Sequence, residues 1–441
     1  MTASRQPSAR KSPKTPAADA RTRARRSAPI HLTGLWCERA AHCAACPDRV
    51  LGACPGEAAF ARALVLWQLS EGRSGLPWMV RDPYRRWVSE IMLQQTQVSV
   101  VIDYYERFIA RFPSVQDLAR APEAEVLSLW SGLGYYARAA NLMKAARRVA
   151  AELGGVFPEK AGGLAQLPGV GESTAAAVAS FCSGEAAAIF DGNVKRVLSR
   201  VGMLQTPATS AAGTAAVRSL SQRLMDSLCS DPGEAAEAVR ARNLKAAPGC
   251  ETPLAGVFNQ AMMDLGATLC TLRNPGCDRC PVRQWCRAAR KGAAALYPVK
   301  KPASAKKPRP HMELALAVVR DAEGGVLLTV RPADGIWPGL LCLPQLDPPA
   351  ASGSRRALQL LGAMPHKLTH LDLTLSFYAV SNPPQGLASA AAPTDAGASS
   401  LQRMQAGAAG YFALDGVDGL PLPEPVKRFL KTMSPRQRRR P

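Results

Sequence analysis

The chain has no long apolar run and no secretory leader, and each absence excludes a class of protein. None of its apolar stretches reaches the roughly 18 residues that a membrane-spanning helix needs. The N-terminus lacks the apolar core of a signal peptide. Four prolines within residues 1–30 also oppose the amphipathic helix of a transit peptide. We therefore expect a cytoplasmic protein with no membrane contact.

Acidic residues are scarce beside basic ones. The 441 residues include 55 Lys and Arg against 34 Asp and Glu, a net charge of +21. Such an excess predicts a polyanionic partner, most often nucleic acid. The alternative is that basic tails supply the charge, because residues 1–30 hold eight basic residues against one acid. With 47% hydrophobic residues, the chain is too apolar for wholesale disorder.

Changes in composition divide the chain into five segments. Residues 1–57 predict a disordered basic tail that carries a cysteine cluster. Residues 58–297 show helical periodicity without strand alternation, which predicts an all-α domain. Residues 298–312, rich in Pro and Lys, predict a stiff linker. Residues 313–430 predict a smaller α/β domain, and residues 431–441 predict a second basic tail.

Two regions refine this multidomain prediction. In the second domain, ELALAVVRDAEGGVLLTVRP predicts two strands around a Glu-Gly-Gly turn, and HLDLTLSFYAV predicts another strand. In the first domain, the Ala-rich residues 205–255 interrupt the helical pattern. We interpret them as an insertion and assign them no secondary structure.

Cysteines form the strongest local motif. Cys270, Cys277, Cys280 and Cys286 follow the spacing C-x6-C-x2-C-x5-C, with Pro and Gly between the first two. Four thiolates in so short a loop can converge on one centre. The spacing alone leaves tetrahedral zinc and an iron–sulfur cluster as candidates.

A second cysteine cluster lies near the N-terminus. Cys37, Cys43, Cys46 and Cys54 follow the spacing C-x5-C-x2-C-x7-C, with His42 adjacent. One hypothesis is a second metal site, with zinc as the metal. The irregular spacing and the basic surroundings support the alternative of free thiols.

A glycine hairpin precedes an Ala-rich helix. In Leu167-Pro168-Gly169-Val170-Gly171 the glycines allow a sharp turn, and amides at the next helix N-terminus suit a phosphate. Such a hairpin grips a nucleic-acid backbone without reading its sequence. The alternative is a plain connector between helices.

Two carboxylates stand in apolar surroundings. Glu90 shares a helix face with Trp87 and Gln94, and Asp191 follows an apolar stretch after the hairpin. An acid in a desolvated pocket has a raised pKa and can donate a proton near neutral pH. The alternative is a solvated position on the outer face. The turn at Gly134-Tyr135 offers rings that could stack on bases, or it lines the core.

Together these stretches resemble adenine DNA glycosylases of the MutY type, within the helix-hairpin-helix superfamily. Endonuclease III relatives share the hairpin and the cysteine loop but lack the Glu-x-x-Leu-Gln-Gln-Thr-Gln run. The matching stretches span about residues 58–298 in the family's order: LPW (76–78), WVSEIMLQQTQV (87–98), WSGLGYYARAANL (130–142), LPGVG-x-ST (167–174), DGNVKRVLSR (191–200), FNQAMMDLGA (258–267) and the four-cysteine loop.

The resemblance implies hydrolysis of the N-glycosidic bond of adenine mispaired with 8-oxoguanine or guanine. The implied enzyme is a monomer bound to duplex DNA at the bacterial nucleoid. It would have two helical lobes, a [4Fe–4S] cluster on the four-cysteine loop and a Nudix-like C-terminal domain. In catalysis Glu90 would be the acid, Asp191 the anion beside the sugar, and Asn193 an orienting residue.

The resemblance also implies the DNA contacts. Gln95 and Tyr135 would wedge into the base stack, and the hairpin at Leu167, Gly169 and Gly171 would hold the backbone. Ser173 stands where bifunctional relatives carry a Schiff-base lysine, which predicts a monofunctional enzyme.

The family's Phe-Ser-His loop for 8-oxoguanine corresponds here to Leu368-Thr369-His370. The hydroxyl of Thr369 and the ring of His370 remain, but an aromatic contact is lost.

Three other functions are alternatives to this one, and features of the sequence disfavour each of them. A thymine-glycol glycosylase with lyase activity is disfavoured by Ser173 and Glu90. A non-catalytic DNA-binding iron–sulfur protein is disfavoured because both carboxylates are present. A Nudix hydrolase is disfavoured because the chain lacks the catalytic box of that family.

Overall fold

A computed structural model describes the chain over residues 55–300, 309–332, 334–346, 358–381 and 409–433. Helices occupy the first range, and two small sheets with a closing helix occupy the rest. This is the expected order of an all-α domain and a smaller α/β domain. Each described helix lacks either the length or the apolar composition for crossing a bilayer.

Several predictions from the sequence lie outside these ranges. The basic tail up to residue 54, with its four cysteines, and the tail from residue 434 are among them, as are most residues of the predicted linker. The second metal site therefore stays a hypothesis.

Helices of the first domain pack into two lobes around separate cores. The first lobe contains α2 to α8, and the second contains α1 with α9 to α13. Their bounds are α1 (Pro55–Glu71), α2 (Pro83–Leu93), α3 (Val98–Arg111), α4 (Val115–Arg120), α5 (Glu123–Trp130), α6 (Ala137–Glu152), α7 (Ala161–Leu164), α8 (Glu172–Cys182), α9 (Gly192–Gly202), α10 (Ala211–Ser230), α11 (Gly233–Asn243), α12 (Leu254–Thr268) and α13 (Arg287–Arg290).

Helix α8 lies between the lobes and contributes to both cores. Val178 packs into the core of the first lobe, and Phe181 packs into that of the second. Small side chains on this helix allow a close approach, since a Cβ added at Gly256 of α12 would lie 3.0 Å from the Ser180 carbonyl. The residues flanking α8 therefore meet at the boundary between the lobes.

Residues 205–255, whose secondary structure the sequence left open, are largely helical. Much of this segment forms α10 and α11, which pack against α1 as part of the second lobe. Val217, Leu220, Leu224 and Leu228 recur every three or four residues and are fully buried. The many alanines around these residues obscured the helical period, because they make the whole segment look uniformly apolar.

The C-terminal domain has two three-stranded sheets with the orders β1-β5-β4 and β3-β2-β6. Strand β1 pairs in parallel with β5, whereas the other strand pairs are antiparallel. The strands are β1 (His311–Val318), β2 (Val326–Val330), β3 (Leu341–Cys342), β4 (Gln359–Lys367), β5 (Asp372–Ala379) and β6 (Gly410–Phe412), and the closing helix is α14 (Glu424–Met433).

Strand pairing differs from the expected hairpin. The two strands around the Glu-Gly-Gly turn both form, but β1 and β2 enter different sheets. Beyond the end of β1, the chain meets β2 through a bridge between Arg320 and Val326 and a hydrogen bond from the Leu327 amide to the Val319 carbonyl at 3.0 Å. The sequence also missed β4, which contains Gly362 and Pro365. Both residues are tolerated because β4 is an edge strand.

The C-terminal domain docks on the loop that connects α5 and α6. Ser131 Oγ donates to the Leu420 carbonyl at 3.0 Å, and Tyr136 OH donates to the Leu422 carbonyl at 3.3 Å. Lys427 Nζ donates to Ser131 Oγ at 3.0 Å. Leu340 completes the contact by packing into the core of the first lobe.

Candidate active site and cysteine loop

Two carboxylates from different lobes lie near each other at the boundary between the lobes. Glu90 lies near the C-terminal end of α2, with its side chain 12% exposed. Asp191 caps the N-terminus of α9. The two are close enough that the charge on Asp191 raises the pKa of Glu90. The fold has thus brought together two acids that are far apart in the chain.

The surroundings of Glu90 favour a proton donor. Burial is the largest influence and raises the pKa of its carboxyl, and Asp191 raises it further. Arg86, one helical turn earlier, acts in the opposite direction with its Nε 3.3 Å from Glu90 Oε1. This electrostatic environment is that of a pocket and excludes the solvated outer face.

Asp191 is held by hydrogen bonds to the helix that it caps. Its Oδ1 accepts from the Val194 amide at 2.8 Å, and its Oδ2 accepts from Asn193 Nδ2 at 3.2 Å. Burial raises the pKa of Asp191, and these hydrogen bonds oppose the rise. In addition, the N-terminus of α9 favours negative charge. The carboxylate is therefore oriented and supplied with donors.

The extended segment before Asp191 is braced from two sides. Asn259 of α12 is buried and accepts from the Ile189 amide at 3.2 Å through Oδ1. Ser173, in the first turn of α8, accepts from the Phe190 amide at 3.2 Å. The side chain at position 173 therefore lies beside the segment that carries Asp191.

The glycine hairpin requires a glycine at position 169. Gly169 has φ of +76°, and an added Cβ would lie 2.7 Å from Cβ of Asn141. Gly171 is the N-cap of α8, where no side chain caps the first turn. Leu167 is buried in the core of the first lobe, so any contact it makes with DNA comes from its main chain.

The two expected wedge residues share an uncommon backbone conformation. Gln95 and Tyr135 have φ of +58° and +49°, a left-handed region that costs energy for residues other than glycine. Both side chains are exposed. Arg138 joins their loops, since its guanidinium donates to the Gln94 carbonyl at 2.7 Å and the Gly134 carbonyl at 3.1 Å. Sequence reasoning missed this arginine.

Thr369 and His370 lie in the turn between β4 and β5, and both are exposed. Nearby, the ring of His366 lies 5.9 Å from that of Trp337. Trp337 packs against the cores of both the first lobe and the C-terminal domain. The turn therefore extends from a strand that contacts the domain interface.

The four cysteines of the loop pack against the second lobe. Their thiols influence one another, and burial raises the pKa of Cys280 to about 12. Among the residues that the structure describes, no group of three His, Cys, Asp or Glu side chains is arranged to hold a metal ion.

Arg200 shows that the loop suits an anionic metal group. It is buried, its Nη1 lies 3.2 Å from Cys270 Sγ, and its other contacts are backbone carbonyls, including those of Ala294 and Leu272. A buried guanidinium surrounded by neutral groups needs a compensating charge. Thiolates bound to a metal centre would supply that charge, so the donor set fits.

A chain of contacts connects this loop to Asp191. Asn193, which donates to Asp191, accepts from Arg196 Nη2 at 2.7 Å, and Arg196 Nε donates to the Cys270 carbonyl at 2.8 Å. Gly266 provides the space, because a Cβ there would lie 2.5 Å from Cβ of Asn193. The spacing of Arg196 and Arg200 was the feature of the sequence that could have indicated a shared role, because residues 196 and 200 lie on one face of α9.

Comparisons with known proteins agree with this arrangement. The family described as HhH-GPD superfamily base excision DNA repair protein matches residues 88–222, and the NUDIX domain family matches residues 315–432.

Among curated proteins, an adenine DNA glycosylase of Rattus norvegicus is 34% identical over 76% of this chain and 73% of its own length. That of Buchnera aphidicola subsp. Baizongia pistaciae is 32% identical over 72% of this chain and 84% of its own. That of Homo sapiens is 42% identical over 52% of this chain and 39% of its own.

Among solved structures, a thermostable thymine-DNA glycosylase aligns with 53% of this chain and 97% of its own, with a TM-score of 0.42 and 26% identity. A non-covalent endonuclease III–DNA complex aligns with 53% of this chain and 94% of its own, with a TM-score of 0.40 and 21% identity.

Proposed function

The chain belongs to the adenine DNA glycosylase family, and we propose that it hydrolyses the N-glycosidic bond of adenine mispaired with 8-oxoguanine or guanine in duplex DNA. The observation that carries this proposal is that Glu90 and Asp191, which come from different lobes, are both partly buried and close enough to influence each other electrostatically. Cleavage of a glycosidic bond uses one carboxyl as an acid and another as an anion.

Chemistry at the base begins with its removal from the stack. An adenine inside a duplex is out of reach, so it must be flipped into the cleft. The exposed Gln95 and Tyr135, held in strained conformations, would fill the space that it leaves. Backbone amides of the hairpin at Gly169 and Gly171 would hold the adjacent phosphates.

In bond cleavage, the two acids would have separate roles. Glu90 would protonate a ring nitrogen of adenine, which makes the base a better leaving group. Asp191 would stabilise the positive charge that develops on the sugar, and Asn193 keeps its carboxylate oriented. Because Glu90 must carry its proton, we expect base release to slow as the pH rises through its pKa.

The C-terminal domain would identify the opposite base. It carries a Nudix-like fold without the catalytic box, which supports recognition rather than nucleotide hydrolysis. Thr369 offers a hydroxyl and His370 a ring at an exposed turn near the domain interface. We assign these two side chains to 8-oxoguanine.

Cys270, Cys277, Cys280 and Cys286 would hold a [4Fe–4S] cluster. When bound, the cluster would cross-link the loop and place negative charge beside Arg200. Arg200 and Arg196 would then fix the loop to α9, the helix that Asp191 caps. We also infer that the enzyme acts as a monomer at the nucleoid in the bacterial cytoplasm, since one chain supplies both carboxylates and both wedge loops.

Replacement of Glu90 by glutamine tests the proposed function. Glu90→Gln keeps the shape of the side chain but removes the acid, so adenine release should fall about 10²- to 10⁴-fold while mispair binding persists. Release and binding are measured on duplexes with A:8-oxoguanine, A:G and A:T pairs. Glu106→Gln, the same change at an exposed position on α3, is the control. Near-normal release by Glu90→Gln would remove Glu90 from the mechanism.

The 8-oxoguanine assignment predicts a change in preference. Thr369→Val with His370→Ala should lower the preference for A:8-oxoguanine over A:G, by about fivefold for each hydrogen bond lost. The matched control is Thr374→Val with His311→Ala, a Thr–His pair in the same domain whose polar atoms lie 2.9 Å apart. An unchanged ratio of the two rates in the test variant would refute the assignment.

Ser173 predicts a monofunctional enzyme. A serine cannot form a Schiff base with the sugar, so the wild type should leave an intact abasic strand and give little complex trapped by borohydride. Ser173→Lys places an amine beside Asp191 and should introduce trapping and some strand cleavage; Ser183→Lys, at the far end of α8, is the control. Efficient trapping by the wild type would mean that another amine reaches the sugar.

If the buried charge of Arg200 balances the thiolates, the amount of cluster that the protein holds should depend on this residue. Arg200→Met removes the charge beside the thiolates and leaves several carbonyls without donors, which should cost about 3–5 kcal/mol of stability. Iron and acid-labile sulfide per chain should fall together with the melting temperature. Arg279→Met, an exposed change in the same loop, should retain both. Full iron and sulfide content in Arg200→Met would contradict the proposed charge balance.

A further inference from the structure

Arg86 is a buried arginine beside the candidate acid, and nothing in the mechanism above uses it. Its side chain is 3% exposed, and its Nε lies 3.3 Å from Glu90 Oε1. We infer that Arg86 is a positioning residue for base release, which holds Glu90 in one orientation and sets the pH range in which Glu90 acts as an acid. This inference rests on the function proposed for Glu90.

Arg86 is held in place on every side. Its Nη1 donates to the Trp78 carbonyl at 3.2 Å, and its Nη2 donates to Gln260 Oε1 at 3.4 Å. The guanidinium carbon lies 3.3 Å from the centroid of the Phe181 ring. A guanidinium fixed in this way cannot move to follow Glu90, so Glu90 must take its orientation from Arg86.

Two carboxylates, those of Glu90 and Asp264, lie near Arg86, and they differ in how they reach it. Asp264 is linked to it only through Gln260, whose Nε2 donates to Asp264 Oδ1 at 2.7 Å. Asp264 already forms an ion pair with Arg73 at 2.6 Å. Glu90 is therefore the acid that Arg86 contacts directly, and Arg86 depends on it for charge balance inside the protein.

The ion pair uses Arg86 Nε and one oxygen of Glu90. Arg86 Nε makes no hydrogen bond within the described residues, so Arg86 acts on Glu90 through its charge at one carboxyl oxygen. Unlike a bidentate pair, this contact does not occupy both oxygens. Arg86 can thus orient the acid and still leave it free to transfer a proton.

The electrostatic effect of Arg86 opposes the other influences on Glu90. Burial and Asp191 raise the pKa of Glu90, and Arg86 lowers it. Arg86 itself is also faced by the Cys182 thiol, the Tyr105 hydroxyl and, at longer range, Asp264. With the guanidinium removed, the two raising influences remain, so Glu90 keeps its proton to higher pH.

Single-turnover base release across pH tests the inference, with enzyme in excess over an A:8-oxoguanine duplex. Arg86→Met removes the charge and keeps an apolar stem over Phe181, and the ratio of the rate at alkaline pH to that at neutral pH should rise about tenfold. Arg86→Lys keeps a positive charge and should restore a profile close to wild type. Arg85→Met, the same change at an exposed neighbour on α2, should leave the profile unchanged.

Other outcomes overturn the inference. A uniform loss of rate with an unchanged profile in Arg86→Met would show that Arg86 only supports the fold. The same profile in Arg86→Met and Arg86→Lys would show that its charge plays no part. If circular dichroism shows that Arg86→Met is unfolded, Arg86→Gln is compared with Arg86→Lys under the same criteria. The wild-type enzyme distinguishes a failure of this inference from a failure of the proposed function. If the wild type releases no adenine, the proposed function itself is wrong.

Discussion

In the proposed reaction, Glu90 and Asp191 must lie close together and yet carry different charges, and the contacts around the two acids differ accordingly. Burial favours the neutral form of both acids. Helix α9 counters burial at Asp191 by supplying donors from its first turn and from Asn193. Glu90 has no such cap, and the single cation at its side is held by contacts to other groups. In the proposed mechanism, the two similar side chains would take opposite roles because their surroundings differ.

Helix α9 is the mechanical link between the cleft and the cysteine loop. Asp191 caps its N-terminus, and Arg196 and Arg200 extend from one face to carbonyls of the loop. Because one rigid helix carries both sets of contacts, a metal centre in the loop would stabilise the position of Asp191 without taking part in the reaction. The apolar residues of α9, which are Val194, Val197, Leu198 and Val201, pack into the core of the second lobe.

The C-terminal domain is connected to the cleft through a short loop. Ser131 and Tyr136 bond to main-chain carbonyls of that domain, and Tyr135 lies between them. The loop that would present Tyr135 to DNA in the proposed mechanism is therefore also the loop on which the C-terminal domain docks. Contact on one side of the loop restricts the position of the side chain on the other.

Local sequence alone determined the features that depend on short-range geometry. The cysteine spacing, the hairpin glycines and the period of most helices could be read directly, since each depends on neighbours within a few residues. The strand β5 was predicted for the same reason. The identification of Glu90 and Asp191 as a pair came from a family resemblance rather than from their spacing.

Tertiary structure decided which distant groups meet. Strand β1 pairs with β5, which is distant in the sequence, rather than with the neighbouring β2. Helices α10 and α11 pack against α1, which is also distant in the sequence. Arg86, Arg138 and Arg200 read as ordinary basic residues in a basic chain. Their roles depend on burial, because a charge that solvent screens at the surface acts strongly on its few neighbours once the fold has removed the water around it.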